Sequence, residues 1–502
     1  MKHILSRQSS RHLKILEHLY YNEKSSFEHL STLLGISIPT IQEDISRIND
    51  FITPLHIDTY SKHECRLLHQ ENISVDFIYS QILRSSTEFR LLEKVFFERH
   101  NRLEDYADSL FISLSTLKRI ISRINKQIKH NGFKITTNPI QLVGDERLIS
   151  NMMVNYFREN YLERRYPLTD IQRKVFDQLF YSLVGDETQF LNFPDIEKMR
   201  VIIFVSLIRL QRGHHYAKSY IAPLEDKYNF PILDNQLFVQ AFKSVFKIEL
   251  TQQHIIELAY PIVSDDFIFN QEELYEIGLK TPQREYEFNQ IVHLIDNIAI
   301  SLDIHLPSSQ RDKLIYELVN VNLSTIAETY LIYNFKHNFL VNLKKDFPFV
   351  YHFLHNHIID NRFFSTYEDH KIEAIIYVLI THWENLLYTI QFSYPKFTIG
   401  VWMDTDIEHM KFIADIINKK QYSRFTCEPI NCLTYQDALV KFDDYDLIVT
   451  NISDLKHTNH RVVSIDIYPS IKDLQKLFRV YFELSNSHFN EKLTGKKQID
   501  NS

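Results

Sequence analysis

Apolar residues recur at helical spacing along most of the chain, and one such pattern is written twice. FEHLSTLLGISIPTIQEDISRIN, from Phe27 to Asn49, aligns with LEDYADSLFISLSTLKRIISRIN, from Leu103 to Asn125, at a constant offset of 76 residues. Phe27 matches Leu103, Leu30 matches Tyr106, Ser31 matches Ala107, Leu34 matches Leu110, Ile36 matches Ile112, Ile41 matches Leu117 and Ile45 matches Ile121. Ser-Arg-Ile-Asn recurs unchanged at 46–49 and 122–125. Apolar identity is kept while the surface letters vary, which marks one supersecondary unit used twice.

The unit reads as a helix-turn-helix. Its first helix ends near Leu34 and Gly35, where glycine supplies the left-handed backbone of a tight turn. Ser37 or Ser113 is placed to cap a second helix with the apolar stripe Ile41, Ile45, Ile48 or Leu117, Ile121, Ile124. A small residue, Ser31 or Ala107, falls where the two helices must approach. The second copy departs from the first at Phe111, which replaces the turn glycine. A hairpin wing is expected after each copy; in the second, FKITTNPIQLVGDE offers alternating strands around Asn138 and Pro139 after a helix stop at Asn131-Gly132.

From about Tyr166 to Ser393 the apolar spacing stays helical and aromatic-rich, broken near residues 278–282, so two helical bundles are expected. Beyond Tyr394-Pro395 the texture changes to FTIGVWM, helical EHMKFIADIIN, FTCEPIN, helical YQDALVKF, DLIVTNI and RVVSIDI. Strands alternating with helices predict a small parallel α/β domain. The fold class is therefore multidomain and mainly α. Its expected parts are winged helix-turn-helix units at 1–70 and 71–162, all-α bundles at 163–280 and 281–393, an α/β domain at 394–490 and a flexible tail at 491–502.

Composition narrows the chemistry. In 502 residues there are only 8 glycines, all isolated, so neither the dinucleotide fingerprint nor the phosphate loop can be written. Cys65, Cys427 and Cys432 form no C-x-x-C pair, which fits a reducing cytoplasm. The most apolar stretches, such as 201–210 and 374–380, fall short of the ~20 residues that span a bilayer. No signal-peptide core follows Met1. A cytoplasmic chain without membrane contact or cofactor is expected.

The net charge of −8 hides a gradient. Residues 1–150 hold 20 Lys and Arg against 18 Asp and Glu, whereas 151–502 hold 36 against 46. Ser115 to Lys134 contains Lys118, Arg119, Arg123, Lys126, Lys129 and Lys134 and no acid. Such a run is either a solvated helix face or a polyanion surface, and its position in a helix-turn-helix favours the second. A helix in the major groove reads base edges through its N-terminal side chains and is positioned by phosphate contacts. The DNA-binding set is therefore Ser37, Thr40, Gln42 and Arg47 in the first copy, and Ser115, Thr116, Lys118, Arg119, Ser122, Arg123 and Lys126 in the second. Gln42 can contact adenine, and the more basic second helix should carry more of the salt-sensitive affinity. Glu43 and Asp44 leave a structural or protein-binding role open for the first.

This order of parts resembles the Mga/RofA-like virulence regulators of Gram-positive bacteria, related to the anthrax toxin activator. The resemblance covers nearly the whole chain. It rests on the tandem winged helices, the wing ending in Ile140 to Glu146 (IQLVGDE), SLIRLQRGHHY at 206–216, LITHWENLL at 379–387 and the α/β tail. It implies a transcription regulator of double-stranded promoter DNA with two PTS regulation domains and an enzyme IIB-like C-terminal domain. It also implies a homodimer formed through the C-terminal half, and histidine phosphorylation by the phosphocarrier protein HPr. By the same resemblance the phosphorylated residues are His214 or His215 in the first bundle and His382 in the second. A phosphoryl group brings close to two negative charges, which Arg209 and Arg212, about one helical turn from His214, are placed to receive, and which Glu384 near His382 would repel. Ser206 and Glu317 stand where the resemblance implies an L-x-x-H-L histidine, a departure from related domains.

Other chemistry is weaker. His352, His355 and His357 share part of a helix face, but no H-E-x-x-H base motif accompanies them, so a metal centre is not expected. In an enzyme IIB the nucleophilic thiol follows the first strand; here that loop reads Trp402-Met403-Asp404-Thr405-Asp406 and has none. The reading is a regulator and not an enzyme, most simply an activator. An RNA-binding antiterminator is the nearest alternative, and a histidine-based phosphotransfer or metal enzyme the more distant one.

Overall fold

Three helices and a small sheet build the first copy of the repeat in the computed structural model. It describes the chain outside residues 60, 62, 69–70, 129–130, 162–165, 185–192, 265–280, 324–329, 393–395, 421–424, 454, 456–459, 482 and 486–502. The helices are α1 (Arg7–Asn22), α2 (Phe27–Leu34) and α3 (Ile38–Asn49); the strands are β1 (Lys24–Ser26), β2 (His56–Asp58) and β3 (Glu64–Leu68). The sheet is antiparallel in the order β1-β3-β2, with Ile57 opposite Leu67. After α4 (Val75–Ser85) the second copy repeats the plan with α5 (Thr87–Phe96), α6 (Leu103–Ser109), α7 (Leu114–Ile128) and the antiparallel wing β4 (Phe133–Ile135) and β5 (Leu142–Gly144). Both helix-turn-helix units thus form over the repeated segments, and an antiparallel wing follows each, the second within the expected FKITTNPIQLVGDE. Residues 129–130, the expected helix stop's immediate predecessors, and the tail 491–502 lie outside the described residues.

The recurrent Ser-Arg-Ile-Asn has a structural reason in its last residue. The Asn49 amide donates to Ile57 O at 2.9 Å and accepts from Ile57 N at 2.8 Å. Asn125 does the same to Ile135, at 2.8 Å and 2.8 Å. Each asparagine occupies both hydrogen-bonding groups of one wing residue, so the second motif helix and its wing move together. The apolar stripes Ile41, Ile45, Ile48 and Leu117, Ile121, Ile124 are all buried.

The helical region grows from the second copy without an apolar break. It contains α8 (Glu146–Asn160), α9 (Asp170–Val184), α10 (Phe193–Gln211), α11 (Lys218–Glu225), α12 (Gln236–Phe246) and α13 (Gln252–Val263). Phe157 on α8 meets Phe96 on α5 at 5.5 Å between centroids and Phe204 on α10 at 5.1 Å, both edge to face. One apolar core consequently runs from Ile4 through the winged helices to Leu258, Leu331 and Ile332. Glu159 ties the last two down: its carboxylate accepts the backbone N–H groups of Leu331, Ile332 and Tyr333, the latter two at 2.9 and 3.0 Å. Burial still raises its pKa.

By compactness the chain divides into residues 1–285 with 316–338, and 286–315 with 339–502. The further helices are α14 (Pro282–Ser301), α15 (Ser308–Leu323), α16 (Phe335–Asp346), α17 (Pro348–Asp360), α18 (Asp369–His382) and α19 (Leu386–Phe392). Within the second unit Arg311 clasps Asp296 through two bonds of 3.0 and 2.8 Å. The expected break at 278–282 falls mostly on 265–280, outside the described residues.

The second unit ends in a fully parallel sheet of β6 (Phe397–Val401), β7 (Phe425–Pro429), β8 (Leu447–Thr450) and β9 (Val462–Ser464), in the order β7-β6-β8-β9. Helices α20 (Ile407–Lys420) and α21 (Tyr435–Lys441) follow β6 and β7. All four residues of β8 are buried, as a central parallel strand covered on both faces requires.

Candidate nucleic-acid interface

A helix-turn-helix works only if its turn holds the second helix at a fixed angle. In the first copy Gly35 ends α2 at φ +65°, and nothing lies within 4 Å of where a Cβ would be. The turn therefore needs the backbone conformation, not the space. Phe111 takes the same place in the second copy at φ +58°, so the departure from glycine leaves the turn geometry intact. The small residues are used as expected: Ala107 is buried, and the Ser31 hydroxyl donates to Ile36 O at 2.6 Å. Ser113 caps α7 by accepting from Thr116 N at 3.1 Å. Ser37 stands at the cap of α3, but its hydroxyl bonds the Thr40 hydroxyl at 2.8 Å and takes no backbone N–H.

On α3, Ser37, Gln42 and Arg47 are exposed and Thr40 is half-buried. The Arg47 guanidinium reaches Glu43 on the same helix at 2.6 Å, an exposed pair that a phosphate could displace at small cost. Asp44 does not face solvent. It is buried and held by Arg11 at 2.8 and 3.0 Å and by His12 at 3.1 Å, all from α1. Burial opposes its charge, yet these donors keep its pKa below the ordinary carboxylate value, while desolvation lowers that of His12. The acid that left a structural reading of the first copy open is thus spent on helix packing, and only Glu43 remains on the surface.

On α7, Ser115, Lys118, Arg119, Ser122 and Lys126 are exposed and Thr116 is half-buried. Arg123 differs from them. It turns back to Glu88 on α5, whose side chain is only 4% exposed. Glu88 stands at the place in its copy that His12 holds in the first, by the same 76-residue offset. The two copies therefore pin the second motif helix to the supporting helix with opposite polarity: acid on α3 and base on α1, then base on α7 and acid on α5. Arg123 is thus paired within its copy although its side chain stays 39% exposed, while Lys118, Arg119 and Lys126 are exposed cations of α7.

The wing of the second copy is held from the helical region. Gly144 brings its backbone so close to residues 132 and 133 that a Cβ would sit 2.3 Å from Gly132 O. Asp145 then caps α8 through Arg147 N at 2.9 Å. Glu146 receives the buried Arg209 guanidinium at 2.6 and 2.8 Å, and Arg209 also donates to Leu142 O of β5 at 3.1 Å. His214 bonds Glu98, which also accepts from Gln141 beside β5 at 3.2 Å. Burial pushes the Glu98 pKa up, but His214, Gln141 and the charge of Arg209 together hold the carboxyl below its ordinary value. The segments IQLVGDE and SLIRLQRGHHY, far apart in sequence, thus meet on one face.

This arrangement corrects one expectation. Arg209, expected to receive a phosphoryl charge on His214, is 2% exposed and committed to Glu146; of the two arginines only Arg212 is exposed. His215 is more open, with 46% of its side chain exposed and Nδ1 held by the buried Glu257 at 3.0 Å. His382, at the end of α18, has Nδ1 near the Thr381 hydroxyl at 2.8 Å and Val378 O at 3.3 Å. In the C-terminal sheet the loop after β6 is fastened by Asp404 N to Asn451 at 2.8 Å, and Cys427 on β7 is buried with its pKa pushed up by desolvation. Among the described residues no cluster of histidine, cysteine and carboxylate suits a metal ion, and no helix is long and apolar enough to cross a membrane.

The fold and its exposed helices define a tandem winged helix-turn-helix protein carrying a large helical body. The Mga helix-turn-helix domain family matches the chain twice, at residues 1–67 and 71–157. A putative trans-acting regulator of Streptococcus pneumoniae serotype 4 is 24% identical over 469 residues, covering 90% of this chain and 93% of that protein. The capsule synthesis positive regulator AcpA of Bacillus anthracis is 26% identical over 42% of this chain and 44% of its own length. The anthrax toxin expression trans-acting positive regulator of the same organism is 25% identical over 33% and 37%. The N-terminal part of the chain thus carries the Mga helix-turn-helix domain, and the chain is similar to proteins named as trans-acting and positive regulators.

Proposed function

We propose that this chain is a transcription activator that binds double-stranded promoter DNA through α3 and α7. The observation that carries the reading is that the polar N-terminal faces of both helices stay exposed after every apolar residue of their stripes is buried. Lys118, Arg119 and Lys126 then supply phosphate affinity, while Gln42, Ser115 and Thr116 lie toward base edges. The helical stretches serve as PTS regulation domains, the parallel sheet as an enzyme IIB-like dimerisation domain without a phosphocysteine, and the active species is a homodimer formed through the C-terminal half. HPr-dependent phosphorylation at His214 or His215 and at His382 sets activity. A phosphoryl group on His214 would face Glu98 and loosen the hold on Gln141 beside the second wing, whereas one on His215 would face Glu257.

The test is fluorescence anisotropy on duplexes selected from a random pool, across a salt series. Lys118→Ala with Arg119→Ala should weaken binding and lower the slope of log K against log salt by about one per residue. Arg123→Ala should leave that slope unchanged. Equal slopes for all variants would refute the reading.

A further inference from the structure

Phe111 combines an exposed aromatic ring with a left-handed backbone, two features that elsewhere in the described chain occur apart. It is 90% exposed, and it holds a positive φ of 58°. The other described non-glycine residues at positive φ are Glu23, Glu98, Lys247, Asp303 and Asn385, all polar. A Cβ makes this conformation costly, and the first copy avoids the cost with Gly35 at φ +65°. A bulky aromatic ring kept in solvent, on a backbone better suited to glycine, stabilises nothing within the fold. An exposed ring on a strained backbone points to a contact made outside the fold.

Its position says with what. Phe111 stands two residues before Ser113, which caps α7, so the ring lies at the end of the helix that presents Ser115, Thr116, Lys118 and Arg119. That end faces base edges when a helix-turn-helix docks. We propose that Phe111 is a specificity-determining residue that packs against a thymine C5-methyl group in the major groove, the apolar feature that distinguishes this base there. The contact is apolar, which separates it from the neighbouring cations. The inference rests on the DNA-binding reading and extends it to one residue and one base.

The experiment uses the full chain and a duplex selected by the wild type from a random pool. Phe111→Gly should keep or raise the thermal midpoint, lower affinity roughly tenfold as expected for exposing about half of the ring's apolar surface, and leave the salt slope unchanged. Replacing thymines one at a time by deoxyuridine removes the methyl group alone. At one position this should weaken the wild type and have no further effect on Phe111→Gly. Unchanged affinity, a fall in thermal midpoint that accompanies the loss, or additive effects at every thymine would overturn the proposal. Wild-type affinity in Phe111→Gly with lost transcription would assign the ring to a protein partner, and also overturn it. Should the wild type select no duplex, the DNA-binding reading itself fails; selection with sensitivity to Lys118 and Arg119 but not to Phe111 removes only this inference.

Discussion

Replacing Arg209 by methionine isolates the contact between the helical region and the second wing. Arg209 is 2% exposed and Glu146 9%, so the variant leaves a carboxylate buried without its cation. Breaking one side of a buried pair costs about 3–5 kcal/mol, and the lost bond to Leu142 O adds about 1 kcal/mol. Replacing both partners, Arg209→Met with Glu146→Leu, removes the stranded charge and should return stability to within about 1–2 kcal/mol of wild type. Tryptophan fluorescence would miss this, because the chain has two tryptophans, Trp383 and Trp402, and both lie in the second compact unit. Hydrogen exchange of the amides in β5, α8 and α10 reads the affected region directly and does not require the whole chain to unfold in one step. A single variant costing under about 1 kcal/mol, or a double variant no better than the single, would refute the buried-pair argument.

Asn49→Ala and Asn125→Ala each remove two bonds to a wing residue and should each cost about 1–3 kcal/mol, with faster exchange in the adjoining strand; no change in exchange there would show that the wings are held otherwise. Arg123→Ala should cost about 1–2 kcal/mol by stranding Glu88, discounted because the arginine is 39% exposed, and denaturant midpoints check it. His12 has a pKa below its ordinary value, so as pH falls below about 6.5 the unfolded chain binds a proton before the native one and stability is lost. His12→Asn should show a shallower loss between pH 7 and pH 5 in the exchange of α1 and α3, and identical profiles would exclude His12 as the cause.

The repeat, its two apolar stripes, the turns and the wings could be read from residue spacing because they depend on local periodicity and turn chemistry, which neighbouring residues largely decide. Alternating strands and helices announced the C-terminal parallel sheet for the same reason. The ionic partners were not legible. Arg123 and Arg119 belong to the same basic run, yet one is drawn back to Glu88, which stands 35 residues earlier on α5. Arg209 looked available to a neighbouring histidine until α8 delivered Glu146 from 63 residues away.

The chain alone thus determined which helices form, which faces they bury and which segment is cationic. Tertiary structure decided which of those cations remain outside, since a charge's fate depends on carboxylates that only folding brings within hydrogen-bond reach and on the water that burial removes. It also decided that Phe111 would keep a glycine's backbone with its side chain 90% exposed.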